Sequence, residues 1–260
     1  MNTKQAALFL FISIYIFTPS SVIAGTIFSA PSYIGLSEGL VGYWSFNDND
    51  MAQSPSNTFA MDRSGNENNG ILTNGPTRAI GKIGQGLSFD GVDDFVSVGD
   101  PASGVLDFGA TDSFTYHAWV YVKTTGASQR ILSKRNGTDS TVTGWDMIAN
   151  PGGPVFAADV SDSSVEVSAI NIVQTVTGSW FDVVVVIDRS TQTLTVWVNG
   201  IPGPPESITT VGSLASNNAL EFGRRSGSAN NLLNGPIDDV RIYNRALSGD
   251  EIKRLYNLGR

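Results

Sequence analysis

From residue 40 onward, apolar and polar positions alternate in short runs separated by turn-forming residues. The first run, LVGYWSF at 40–46, stops at the polar string NDND. Shorter runs follow at 71–72, 86–89 and 95–98, the last two flanking the turn sequence DGVDD. FTYHAWVYV at 114–122 is the clearest of them, rich in β-branched and aromatic residues and strictly two-faced. Such a period of two is that of a strand with one face against a core. The pattern continues at 130–134, 145–148, 155–158 and 165–169. FDVVVVI at 181–187 and TLTVWVN at 193–199 predict a hairpin across DRSTQ, and Asn199-Gly200 supplies a tight turn. Strands at 219–223 and 237–243 complete the series.

One helix stands out. Ser248 is a capping residue, Glu251 three positions on completes a capping box, Ile252, Leu255 and Tyr256 form the apolar stripe, and Gly259 ends it. Many short strands, Gly-rich turns and a single terminal helix predict an all-β β-sandwich or jelly roll rather than βαβ units. No internal repeat of propeller or solenoid type is visible.

Composition narrows the chemistry. The 260 residues carry 16 Lys and Arg against 24 Asp and Glu, a formal charge of −8. A chain so poor in basic residues does not suit nucleic acid, whose binding draws on counterion release by basic clusters. Cys is absent, which removes disulfides, thiolate metal sites and Cys nucleophiles, and His117 is the only histidine. At the N-terminus, Lys4, the apolar run at 6–17 and Val22-Ile23-Ala24 follow the layout of a cleaved secretory signal over residues 1–24. The apolar run is shorter than the roughly 20 residues needed to span a bilayer. The mature chain is therefore expected to begin near Gly25, with an N-terminal segment over 25–38, one domain over 39–260 and no membrane span. It is expected to be secreted, periplasmic or at the cell surface.

Several blocks, in order, carry a family resemblance: YWSFNDND at 43–50, MDRSGNENNGIL at 61–72, GKIGQGLSFDGVDDFVSV at 81–98, SFTYHAWVYV at 113–122, LTVWVNG at 194–200 and LNGPIDDVRIYNRALSGDEIKRL at 233–255. Together they resemble the laminin-G-like jelly-roll domains of the concanavalin A-like lectin/glucanase superfamily. The resemblance implies a sandwich of two curved antiparallel sheets with a short C-terminal helix. It leaves activity open, because that fold hosts lectins, hydrolases, lyases and adhesive modules. It also implies a structural Ca²⁺ held by residues matching Asn47, Asp62, Asn66 and Asp238, with Asn47 standing where the family usually has Asp.

The residues themselves offer oxygen-rich clusters at 47–50, 62–66 and 238–239, the ligand type calcium takes, although Asx residues also build turns. By simple alternation Asp238 shares the face of Val240 and Ile242, where a buried carboxylate needs a metal, a cation or several hydrogen bonds.

Signals for catalysis are few. Gly35-Leu36-Ser37-Glu38-Gly39 matches G-x-S-x-G, but lacks the strand-to-helix context of a nucleophile elbow. The Glu, Asp, Glu strand signature of laminarinase-type hydrolases is missing, and His117 lacks partners for lyase chemistry and is expected to be packed or partly exposed. For ligand binding, Trp145 and Trp197 are the aromatic platform candidates. Arg224, in the pair Arg224-Arg225, is the candidate for an acidic sugar, with a surface ion pair as the other reading. Trp44, Trp119 and Trp180 read as core. Asn136-Gly137-Thr138 is a glycosylation sequon, meaningful in a eukaryotic host. The expectation is a non-catalytic carbohydrate- or matrix-binding module. The alternatives are a structural or adhesive protein-binding module and, third, a glycan-cleaving enzyme.

Overall fold

The computed structural model describes residues 35–124, 127–137, 141–150, 153, 155–174 and 176–260. The expected signal sequence, residues 25–34 of the N-terminal segment and Thr138 of the sequon lie outside the described residues. Among the described residues no helix is long and apolar enough to cross a membrane.

Two antiparallel sheets face each other. In the first, neighbouring strands run in the order Ile201–Pro202, Thr193–Val198, Ser179–Asp188, Phe114–Val122, Asn234–Tyr243, Gln85–Asp90 and Thr77–Ile80. Leu40–Trp44 pairs with part of Asn234–Tyr243, and Glu206–Ser207 with Thr193–Val198. The second sheet runs Glu166–Asn171, Phe156–Ser161, Gly144–Ala149, Gln129–Ser133, Leu220–Phe222, Phe95–Gly99, Gly70–Thr73, Thr58–Ala60 and Met51–Gln53. The expected jelly-roll sandwich is therefore the observed fold.

Alternation decides what each strand buries. Phe114, Tyr116, Ala118 and Val120 point inward from the first sheet, and Trp145, Met147, Phe156 and Val160 meet them from the second. The Tyr116 and Trp145 rings lie 4.5 Å apart between centroids. Burying each large apolar side chain in such a core contributes about 1.5–3 kcal/mol. Asn199 and Gly200, both with positive φ (53° and 75°), form the tight turn that joins Thr193–Val198 to Ile201–Pro202.

The outer face of the first sheet is covered. Helix Gly249–Leu258 starts at Ser248, whose side chain accepts from Glu251 N while the Glu251 side chain accepts from Ser248 N, the reciprocal box read from the sequence. Ile252 and Leu255 pack with Leu36, Val184, Val186, Tyr243 and Leu247 into a second apolar cluster.

One strand departs from simple alternation. In Asn234–Tyr243 the register against Phe114–Val122 shifts between Asp238 and Arg241, and Asp239 has a φ of +50°. This bulge puts Asp238 opposite Trp119 and Arg241 opposite His117. Asp238 thus shares the outer face with Trp119 rather than the core face of Val240 and Ile242. It is nevertheless fully buried, because the turn at 81–85 folds over it.

Candidate functional site

The residues expected to hold calcium form two hydrogen-bonded groups. Asp62 accepts four bonds: Tyr43 N and Ser64 N on Oδ1, Ser64 Oγ and Asn68 N on Oδ2. That fills the lone-pair capacity of a carboxylate with protein donors. Asn66 turns its amide nitrogen toward Val41 O and Ser64 Oγ. Asn47 and Asp238 meet elsewhere, at the turn over 81–85. Asn47 Oδ1 accepts from Gln85 N at 2.9 Å, and Asp238 Oδ2 accepts from Ile83 N at 2.7 Å. A Cβ at Gly81 would lie 2.5 Å from Asp238 Oδ2, so only glycine lets the chain approach so closely. Burial pushes the Asp238 carboxyl up to about 7, and neighbouring Asp239 adds to the rise. Asp238 Oδ1 also accepts from Asp239 N, so Asp238 carries backbone bonds on both oxygens but is not filled as Asp62 is, and Asn47 and Asp238 are the two candidates with acceptor capacity left for a cation.

A further carboxylate group, Asp90, Asp93 and Asp94, brings ligand oxygens within 4.8 Å of one another. Its hydrogen bonds are those of a hairpin turn: Asp90 Oδ1 accepts from Val92 N and Asp93 N, and Asp94 Oδ2 from Asp90 N.

The three ligand-binding candidates end up in other roles. Trp145 is wholly buried, stacked among Phe114 and Tyr116, and offers no platform. Lys134 and Arg135, which follow the strand paired with its own, are themselves buried. Trp197 does face away from Val196 and Val198, and the start of the C-terminal helix packs against it, leaving it half-buried: a Cβ at Gly249 would lie 3.1 Å from its ring. Arg224 is held by Glu221 through two bonds of 2.7 and 2.9 Å and lies over the Phe95 ring. That is the ion-pair reading. Trp44 and Trp119 are buried as expected, and Trp180 is partly exposed, edge-on to Tyr121.

His117 belongs to a closed ion network on the covered face. Its Nε2 lies 2.7 Å from Asp182 Oδ1, and its Nδ1 4.0 Å from Asp239 Oδ2. Asp239 in turn accepts two bonds from Arg241, whose guanidinium sits over the Tyr43 ring. Burial raises the Asp182 carboxyl, and His117 opposes that rise. These groups are sealed from any large substrate.

A second network lies on the outer face of the second sheet, and sequence reasoning missed it. Ser133, Asp146, Asp159 and Ser168 come from four successive strands and line up across the face by register. Arg130 donates its Nε to Asp146 and places Nη2 3.7 Å from Asp159. The Ser133 hydroxyl also bonds Asp146, and Ser168 Oγ bonds Asp159. Arg135 pairs bidentately with Glu166. The loop at 223–233 folds back over this face: Ser226 N reaches Ser133 Oγ, and Asn231 O accepts from Arg130 N. Burial raises the Asp146 carboxyl despite Arg130 beside it. The one sequence signal was the cluster Lys134-Arg135, Arg224-Arg225 and the outward Asp positions of adjacent strands.

A laminin G family model of the concanavalin A-like lectin/glucanases superfamily matches residues 90–253, more than half of the chain, and the protein belongs to that family. No curated protein is matched. Among solved structures, the binding domain of Paraclostridial Mosquitocidal Protein 1 is similar with a TM-score of 0.66 and 17% identity, covering 85% of this chain and 52% of that one. Domain 4 of AbnA, a GH43 extracellular arabinanase from Geobacillus stearothermophilus, solved with arabinotriose, gives a TM-score of 0.62 and 18% identity, covering 85% and 98%. The botulinum neurotoxin serotype D ligand binding domain, solved with N-acetylneuraminic acid, gives 0.60 and 14%, covering 87% and 52%. At these identities the similarity establishes the jelly-roll fold. The chain spans about half the length of the toxin binding domains it matches.

Proposed function

We propose that the protein is an exported, non-catalytic carbohydrate-binding module, and that the outer face of the second sheet receives the glycan. The observation that carries this reading is the contrast between the two outer faces. The first is covered by the C-terminal helix and an apolar cluster, whereas on the second a polar network of Arg130, Ser133 and Asp146, buried beneath the loop at 223–233, borders the exposed Ser168 and the half-buried Asp159 and Glu166. Sugar hydroxyls are recognised by such charged and polar groups fixed in place. The carboxylates there are committed to arginines: Asp146 to Arg130, Glu166 to Arg135 and Glu221 to Arg224. A hydrolase needs a pair of carboxyl groups free to act on the glycosidic bond. The similar binding domains solved with arabinotriose and N-acetylneuraminic acid support a glycan ligand. Export rests on the sequence at 1–24, and a mature protein whose N-terminal residue lies near Gly25 is the expected finding by mass spectrometry.

A structural cation belongs to the proposal in reduced form. Asn47 and Asp238 would hold it at the 81–85 turn, where it would neutralise a buried carboxylate that has no cationic partner among the described residues. Its other ligands would be backbone carbonyls and water. The melting temperature is expected to rise in Ca²⁺ relative to EDTA, and Asp238→Asn to abolish the difference; a wild-type protein indifferent to both removes the cation.

The functional test is a glycan and polysaccharide array run on the purified protein in Ca²⁺ and in EDTA. Selective binding supports the module, and a blank array from folded protein contradicts it. A specific observation favours a protein partner as the second reading. Ile170, Ile172 and Ile201 are 44%, 76% and 58% exposed and lie together, Asn171 bridging to Ile201 O.

A further inference from the structure

Next to the paired Arg224 stands an arginine with nothing to hold. Arg225 is 3% exposed, and its guanidinium makes no hydrogen bond or ion pair among the described residues. Its Nε is buried without a partner. A buried charge in this condition is costly unless something pairs with it.

The surroundings explain why no protein group does so. Asp146 is taken by Arg130 and Ser133, Asp159 faces Arg130 and Ser168, and Glu166 is taken by Arg135. Each carboxylate near Arg225 is already served by other donors, so the donors of the fourth guanidinium are surplus. Burial first, and then the charge of Arg130, hold Arg225 below the usual arginine range, with Asp146 and Asp159 opposing the fall only in part. A bound anion would offset the unpaired charge.

We propose that Arg225 anchors an oxyanion-binding subsite on the outer face of the second sheet, and that its ligand is the carboxylate or sulfate ester of an acidic glycan. This rests on the glycan-binding reading above and narrows its substrate class. The planar guanidinium carries five donors in a fixed fork, which matches a two-oxygen acceptor better than a neutral hydroxyl. The loop at 223–233 fixes its position: Ser226 N is bonded to Ser133 Oγ on the sheet, and Leu233 N closes the loop on Gly223 O. Arg225 is thereby held over the sheet by backbone contacts instead of by an ion pair of its own.

The test uses the whole protein, Arg225→Gln, Arg225→Lys, and Lys253→Gln as a charge-matched control on the exposed side of the C-terminal helix. Affinity is measured for polygalacturonate as the carboxylate probe, heparin as the sulfate-ester probe and dextran as the neutral one. Melting temperature is measured in sodium sulfate and in sodium chloride at matched ionic strength. Wild-type protein is expected to bind one of the two polyanions and to ignore dextran. Arg225→Gln should weaken that binding at least tenfold and Lys253→Gln should leave it unchanged. Arg225→Lys should also weaken it, because the fork is lost while the charge stays. Without anion, Arg225→Gln should melt no lower than wild type, and it should lose the wild-type gain in sulfate over chloride. A lower melting temperature with an unchanged sulfate response would make Arg225 a structural residue and overturn the proposal. Dextran binding that survives Arg225→Gln would leave the glycan module standing and remove the anion subsite. A sulfate response through Arg225 with no polysaccharide bound would uphold the subsite and remove the glycan.

Discussion

On the outer face of the first sheet, His117 pairs with Asp182 and Arg241 with Asp239, all four buried. On the second sheet, Arg130, Asp146 and Asp159 occupy the corresponding outward positions beneath the loop at 223–233, and the guanidinium of Arg225, a residue of that loop, is left over. Both faces bury ionisable groups on a β-sandwich; in the first each charged side chain has an ionic partner, while in the second the Arg225 guanidinium has none among the described residues. A network whose charges pair within the chain serves the fold. A buried network with an unserved guanidinium carries a cost in stability, and on the proposal above an external anion would offset it.

Substitutions should separate the two faces by their effect on folding. The largest effect is expected on the covered face: Arg241→Met leaves Asp239 buried without its partner and should cost about 3–5 kcal/mol, read from urea denaturation. A loss below about 1 kcal/mol, the surface-pair range, would mean that the network does not hold this face. Leu255→Ala, in the helix that closes the face, should cost about 2–4 kcal/mol through the cavity it leaves and should not alter glycan binding.

A smaller and pH-dependent effect is expected at the helix start. Two bonds from Arg245, reinforced by the Ser248 cap, lower the Glu251 carboxyl to about 2 despite partial burial. A folded-state value below the ordinary one stabilises the native state above pH of about 4.5, and that contribution is lost as pH falls toward about 2. Glu251→Gln should cost about 1–2 kcal/mol at pH 7 and flatten stability across that acid window; an unchanged slope would remove the pair from the account.

Much of the sandwich could be read from the chain because local pattern and tertiary role agree. The run at 114–122 is a strand of those residues, the hairpin around DRSTQ forms, and the Ser248 capping box is present. Where reading failed, a non-local cause can be named. Asp238 changes face because a left-handed residue at Asp239 adds a bulge, which alternation cannot register. Trp145, a platform candidate by sequence, is buried, and so are the charges of Lys134 and Arg135 near it, which distant acids hold: Asp100 and Asp107 hold Lys134, and Glu166 holds Arg135. The Arg225 network draws on four strands and a loop far apart in sequence, so no spacing announces it. At Arg224-Arg225, the arginine singled out from the sequence, Arg224, is paired with Glu221, while Arg225 has no ion-pair partner among the described residues.

The most direct test of which face binds is to obstruct each in turn with the same side chain. Ser168 is exposed on the outer face of the second sheet, opposite Asp159, and Lys253 is exposed on the helix that covers the first. Affinity for the polysaccharide selected by the array should be lost in Ser168→Trp and kept in Lys253→Trp, with both variants melting near wild type. Loss in Lys253→Trp with full binding by Ser168→Trp would put the ligand on the face described here as closed, and would contradict the account.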